Sequence, residues 1–159
     1  AYGPAKQWPA ARFRDVASWW LGRGGRVIVV GGDADAEAAA AWLRARHPGL
    51  PLVLMGFSFG GFVATSLAGR LETAGVELQH LFMIAPAVMR LTAEFPLPQR
   101  CPITVVQPDA DEVVAPQLVY EWSGSLSRPH ELLKVAECGH FFHGKLTDLK
   151  DLLLPRLSN

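Results

Sequence analysis

The sequence predicts an α/β fold: a mostly parallel sheet of about five strands with helices on both faces, forming a three-layer sandwich. Three observations carry that expectation. Short apolar, β-branched runs recur along the chain; segments of helical length alternate with them; and the loops that follow several runs collect Gly, Ser, Asp and His. Strands that alternate with helices pair in parallel through right-handed crossovers. No internal repeat, low-complexity tract or linker interrupts the pattern, so residues 1–159 are expected to form a single domain.

In chain order, Pro9 to Leu21 reads as a helix and Arg26 to Val30 as a strand that enters Gly31-Gly32. Ala34 to Arg46 is Ala-rich and helical, with Asp33 or Asp35 available to cap it. Leu52 to Phe57 is a short apolar strand, and Phe59 to Thr73 a helix that Gly75 closes. His80 to Ala85 and Ile103 to Gln107 follow as strands. The stretch from Pro86 to Pro102 between them is irregular and, at about 15 residues, too short for a lid domain. Pro116 to Leu126 is expected as a helix, His130 to Ala136 as a strand and Leu146 to Leu157 as the last helix.

The most informative stretch is Leu52 to Gly61, LVLMGFSFGG, where a strand runs into Gly56-Phe-Ser58-Phe-Gly60. A serine that is to act as a nucleophile must stand clear of the sheet on a sharp turn between a strand and a helix, and small residues must flank it. The G-x-S-x-G pattern meets both demands. The helix beginning at Phe59 presents unsatisfied N–H groups, so the Phe59 N–H can face an oxyanion on a substrate attached to Ser58.

A serine nucleophile needs a base and the base an orienting acid, and both follow in the expected order. The strand Ile103 to Gln107 opens into Pro108-Asp-Ala-Asp-Glu-Val-Val-Ala-Pro116, in which Asp111 is the leading acid and Asp109 the alternative. Asp109 has a ready structural role in closing the turn. After the strand at 130–136 comes Glu137-Cys-Gly-His-Phe-Phe-His143-Gly, which brings His140 to the same sheet edge as Ser58 and Asp111. His143 is the rival base, three residues on, whereas His47, His80 and His130 sit beside turns and strand starts and read as structural. Phe57, Phe59, Met89 and Phe141 are candidate walls of an open cleft suited to small acyl substrates, with Trp122 a further possible wall.

Composition narrows the function. Half of the 159 residues are hydrophobic, enough for one sizeable core, and 15 basic residues balance 15 acidic ones. Without a basic stripe, nucleic acid and anionic membranes are not expected partners. No apolar run reaches the roughly 20 residues that span a membrane, and no signal segment is apparent, so a cytoplasmic location is expected. Cys101 and Cys138 lack metal or redox spacing and read as buried or partly buried free thiols; no metal or organic cofactor is called for. If Arg26 to Val30 forms an exposed sheet edge, it offers a route to a homodimer.

Four motifs together resemble the α/β-hydrolase superfamily, and within it the small bacterial hydrolases related to dienelactone hydrolases: AWLRARHPGLPL from Ala41, GFSFGGFVA from Gly56, DADEVV from Asp109 and GHFFHGKL from Gly139. The resemblance covers roughly three quarters of the chain, from about Asp35 to the end. It implies a truncated α/β-hydrolase fold without a lid, Ser58 as nucleophile, Asp111 as acid and His140 as base, but it brings no substrate; a small-molecule ester is expected from the triad and the open cleft. Residues 34–159 then form the hydrolase core and 1–33 an atypical front segment. That front lacks the loop that supplies the second oxyanion donor in the family. Its Gly3 to Phe13 and Gly24 to Gly32 stretches are instead similar to a heptosyltransferase-type glycosyltransferase, which implies a recombined chain. In place of the family loop, the N–H groups of Gly31 or Gly32 would donate to the oxyanion if their strand pairs beside that of Ser58; the alternative is that these glycines form a simple tight turn. Two functions are therefore expected from different classes: a serine carboxylesterase, or a weak or inactive hydrolase-like module that folds or binds.

Overall fold

The computed structural model describes residues 33–46, 48–92 and 97–157. Four helices and four strands occur in it in the order α1 (Asp33–Arg46), β1 (Leu52–Phe57), α2 (Phe59–Thr73), β2 (Leu78–Ile84), β3 (Ile103–Pro108), α3 (Pro116–Ser125), β4 (Glu131–Val135) and α4 (Leu146–Leu157). A short 3₁₀ turn, Val88–Arg90, stands in the stretch between β2 and β3 that the sequence marks only as irregular. The strands lie in the order β1-β2-β3-β4 and every neighbouring pair is parallel. The fifth expected strand, Arg26 to Val30, and the helix before it lie outside the described residues, as does the dimer edge that strand would form.

Alternation along the strands divides the core into two layers. On one face Leu52, Leu54, Leu81, Met83, Ile103 and Val105 meet α1, α2 and α3 through Ala40, Leu67, Ala68, Leu71 and Val119, with Trp122 half-buried against them. On the other face Val53, Phe82, Ile84, Val106 and Val135 meet Leu153 of α4 and Phe142 of the loop before it. Trp122 thus serves the core, the packing role that its size favours.

Register positions the loops. Phe57 pairs with Ile84, Ile84 with Val106 and Pro108 with Val135, so the carboxyl ends of all four strands finish at one edge. Ser58, Asp111 and His140 all emerge beyond that edge. Helix α2 ends in a Schellman arrangement in which Gly75, at φ 77°, donates to Glu72 O at 2.9 Å and Val76 donates to Leu71 O at 2.8 Å.

Two polar clamps hold the opposite edge. The Glu72 carboxylate, at the end of α2, accepts the backbone N–H groups of Gln99 (2.7 Å), Arg100 (3.0 Å) and Cys101 (2.6 Å), which fixes the chain as it enters β3. At β4, Glu131 accepts both arms of the Arg156 guanidinium from α4, and the Thr104 hydroxyl donates to it at 3.3 Å. His80 is bonded to that hydroxyl at 2.9 Å and stacks on Phe82. Its reading as a structural histidine matches this placement.

Two outcomes follow. Partial burial raises the Glu72 carboxyl, but its three backbone donors and Arg100 outweigh that and hold it below the ordinary glutamate range. Its contribution is therefore complete above that range and disappears as pH falls through the lowered value. Glu72→Ala is expected to lose about 1–3 kcal/mol in urea denaturation at neutral pH, and the gap between variant and wild type should narrow on acidification. A Cβ on Gly56 would stand 2.0 Å from Gly60 O, so Gly56→Ala is expected to lose about 3 kcal/mol or more in the same assay.

Candidate active site

The site begins with a backbone constraint. Between β1 and α2 the chain turns so tightly that Ser58 adopts φ 53° and ψ −118°, a conformation that side-chain-bearing residues rarely take. Three bonds hold it there: the Ser58 N–H donates to Ile84 O at 2.8 Å, and Ser58 O accepts from Gly61 at 3.0 Å and Ala87 at 3.2 Å. The neighbouring strand and its exit loop thus grip the residue from both sides.

From this turn Ser58 Oγ reaches His140 Nε2 at 3.0 Å. The other ring nitrogen, Nδ1, lies 2.8 Å from Asp111 Oδ2 and 3.0 Å from Oδ1. An ionised carboxylate only accepts, so Nδ1 carries the proton, and Nε2 is left as the acceptor for the serine hydroxyl. His140 and Asp111 are buried, at 2% and 6% exposure, which keeps water from competing for these bonds.

The Asp111 carboxylate is also held from its own loop. Oδ1 accepts the N–H groups of Val113 (2.9 Å) and Val114 (2.7 Å), and Oδ2 accepts the Gln107 amide at 3.1 Å. Burial alone would raise this carboxyl; the hydrogen bonds from His140, Val114, Val113 and Gln107 outweigh it and hold the group below the usual carboxylate range. Asp109, the alternative acid, is exposed, and its backbone N–H closes the turn onto Val135 O at 3.0 Å. His143, the alternative base, is also exposed, with its ring 6.0 Å from that of Phe141.

Phe57 and Phe141 flank the imidazole, their ring centroids 4.9 Å and 5.0 Å from that of His140. Both are substantially exposed, as are Phe59 and Met89, whose 3₁₀ turn is tied to the elbow through Ala87. Phe57 and Phe141 thus form an exposed apolar edge beside the imidazole. Hollows of about 350 and 240 Å³ lie elsewhere, one beside Lys134 and Asp148 and the other beside Arg44 and Glu77. As the first residue of α2, Phe59 has an N–H without an intrahelical acceptor, aimed along the helix start. Gly31 and Gly32, expected as the second donors, lie outside the described residues.

Gln107 and Glu112 are the site residues that sequence reasoning missed. Gln107 is fully buried beneath Asp111, and Glu112 Oε2 accepts the backbone N–H of His140 at 3.0 Å. A polar residue ending an apolar strand and a second acid beside Asp111 were the available signals. Cys138, close to His140 in sequence, is buried, and burial raises its thiol, the opposite of what a cysteine nucleophile requires. No cluster of metal-ligating side chains occurs among the described residues, and no helix among them is long and apolar enough to cross a membrane.

A family model for the thioesterase domain matches residues 33–95. Among solved structures, XC6422 from Xanthomonas campestris, described as an α/β serine hydrolase without a lid, is similar at 38% identity and a TM-score of 0.68; the match covers 78% of this chain and 54% of that one. An α/β serine hydrolase homologue from Coxiella burnetii is 30% identical with a TM-score of 0.67, over 77% of this chain and 57% of its own. The type II thioesterase BorB of the borrelidin biosynthetic cluster, at 24% identity and a TM-score of 0.55, shares the fold over 83% of this chain and 70% of its own. A search of curated proteins returned no match. The chain spans little more than half the length of the first two hydrolases. A parallel sheet with helices on both faces, a serine turn after its first described strand, and this set of relatives lead to one assignment: the chain belongs to the α/β-hydrolase superfamily.

Proposed function

We propose that the chain is a serine hydrolase acting on small carboxylic esters through an acyl-enzyme on Ser58. The observation that carries this reading is the unbroken hydrogen-bond chain from Ser58 Oγ through His140 to Asp111, built on a strained turn. In this mechanism His140 Nε2 takes the hydroxyl proton as Ser58 Oγ attacks the ester carbonyl, and the Phe59 N–H receives the developing oxyanion. His140 returns the proton to the leaving alcohol. Water, deprotonated in turn by His140, then releases the acid. Asp111 keeps the imidazole in the acceptor tautomer and stabilises its charged form.

A thioester is the second reading, favoured by the thioesterase-domain match over residues 33–95. The same groups serve both substrates, because only the leaving atom changes from oxygen to sulfur. The exposed rim of Phe57, Met89 and Phe141 suits a short acyl group lying against it.

Turnover of short-chain nitrophenyl esters and of short acyl thioesters, measured beside Ser58→Ala, tests the proposal. Wild-type activity and labelling by a serine-reactive phosphonate should both disappear in the variant; equal rates from the two proteins would overturn it. Asp111→Asn should lower kcat by about ten thousandfold at unchanged fold, since the amide favours the wrong imidazole tautomer. Phe141→Ala should raise KM by about tenfold with kcat little changed if its ring supplies uniform binding to the acyl group. A fall in kcat alone would place Phe141 outside substrate binding.

A further inference from the structure

The loop that carries His140 is strained, although it packs Cys138 and Phe142 into the core and Phe142 donates to Gly139 O at 3.0 Å within it. Glu137 and Phe142, neither of them glycine, hold φ values of 52° and 54° on its two sides. Backbone bonds zip its beginning to the acid loop: Asp109 donates to Val135 O at 3.0 Å and Ala110 to Cys138 O at 3.1 Å. Beyond Cys138 the connection between the two loops passes to side chains. Asp111 takes the imidazole of His140, and Glu112 Oε2 takes its backbone N–H at 3.0 Å. The fit at Glu112 is close, because a Cβ on Gly139 would stand 2.9 Å from the same oxygen.

We propose that Glu112 is a positioning residue, a latch from the acid loop that fixes the backbone of His140 so that its Nε2 stays in reach of Ser58. Adjacent residues of one loop thereby hold both ends of the base, Asp111 its ring and Glu112 its main chain. Removing the latch frees the strained segment to relax, and a small drift of the imidazole suffices to break a near-attack geometry. Glu112 acts through the His140 N–H that its carboxylate accepts, so its loss is expected in kcat with KM left in place. The catalytic consequence rests on the serine-hydrolase reading; the latch itself does not.

The test therefore has two arms on the full chain. In amide hydrogen exchange, the His140 N–H should be protected in wild type and in Glu112→Gln, whose amide oxygen still accepts, and exchange about tenfold faster or more in Glu112→Ala, with the β3 amides unchanged. Equal protection in Glu112→Ala overturns the latch whether or not the protein turns over ester. In ester kinetics, Glu112→Ala should lose about tenfold to a hundredfold in kcat with KM within about twofold, and Glu112→Gln should recover most of it. Gly139→Ala, which displaces the carboxylate, should lower kcat in the wild type and have little further effect in Glu112→Ala. A kcat within about twofold of wild type in Glu112→Ala, or additive losses in the double variant, would overturn the positioning role. A wild-type protein without turnover would instead contradict the hydrolase reading and leave the exchange arm to decide the latch.

Discussion

Everything at this site depends on how closely α2 starts above the end of β1. The separation at Gly56 and Gly60 is smaller than any side chain allows, since even a Cβ at Gly56 would lie 2.0 Å from a carbonyl oxygen. The missing side chains permit this close approach, and within it Ser58 takes a positive φ. Conformational strain of this kind persists only when the surroundings over-determine it. Here Ile84, Gly61 and Ala87 each bond to the Ser58 main chain.

The parallel sheet turns one local device into a shared site. With the strand ends in register, three loops that are distant in sequence open at a single edge, and Oγ of Ser58 meets a ring 82 positions away. Electrostatics then decide the roles. Burying a carboxylate is costly unless it is bonded, and Asp111 has donors from His140, Gln107, Val113 and Val114. A carboxylate held ionised in this way fixes the proton on Nδ1 and leaves Nε2 to accept from the Ser58 hydroxyl. Glu112 extends the same loop to the backbone of the base.

Much of this organisation was legible in the sequence because its signals are local. β1, α2 and α4 have the bounds that their apolar runs and Gly75 suggest, and the glycines around Ser58 announce a tight turn. His80 and His130 are structural, bonded to Thr104 and Ser123. The rest was hidden because it joins residues far apart. Glu72 is an ordinary acid near a helix end until the chain 27 to 29 positions later folds its N–H groups onto it. Glu112 gains its role only from a backbone donor 28 positions on. Gln107 reads as a polar break in an apolar strand, and only its burial beneath Asp111 gives it a function. The 3₁₀ turn at Val88–Arg90 left no periodicity to find, being three residues long.

The central claim is that Ser58 carries the acyl group between the two halves of the reaction. Rapid-quench mass spectrometry during turnover of a nitrophenyl ester tests it most directly. The account predicts a burst of nitrophenol together with an acyl adduct on the peptide that contains Ser58, formed quickly and released more slowly. An adduct on another residue, or steady turnover with no adduct at all, would contradict it.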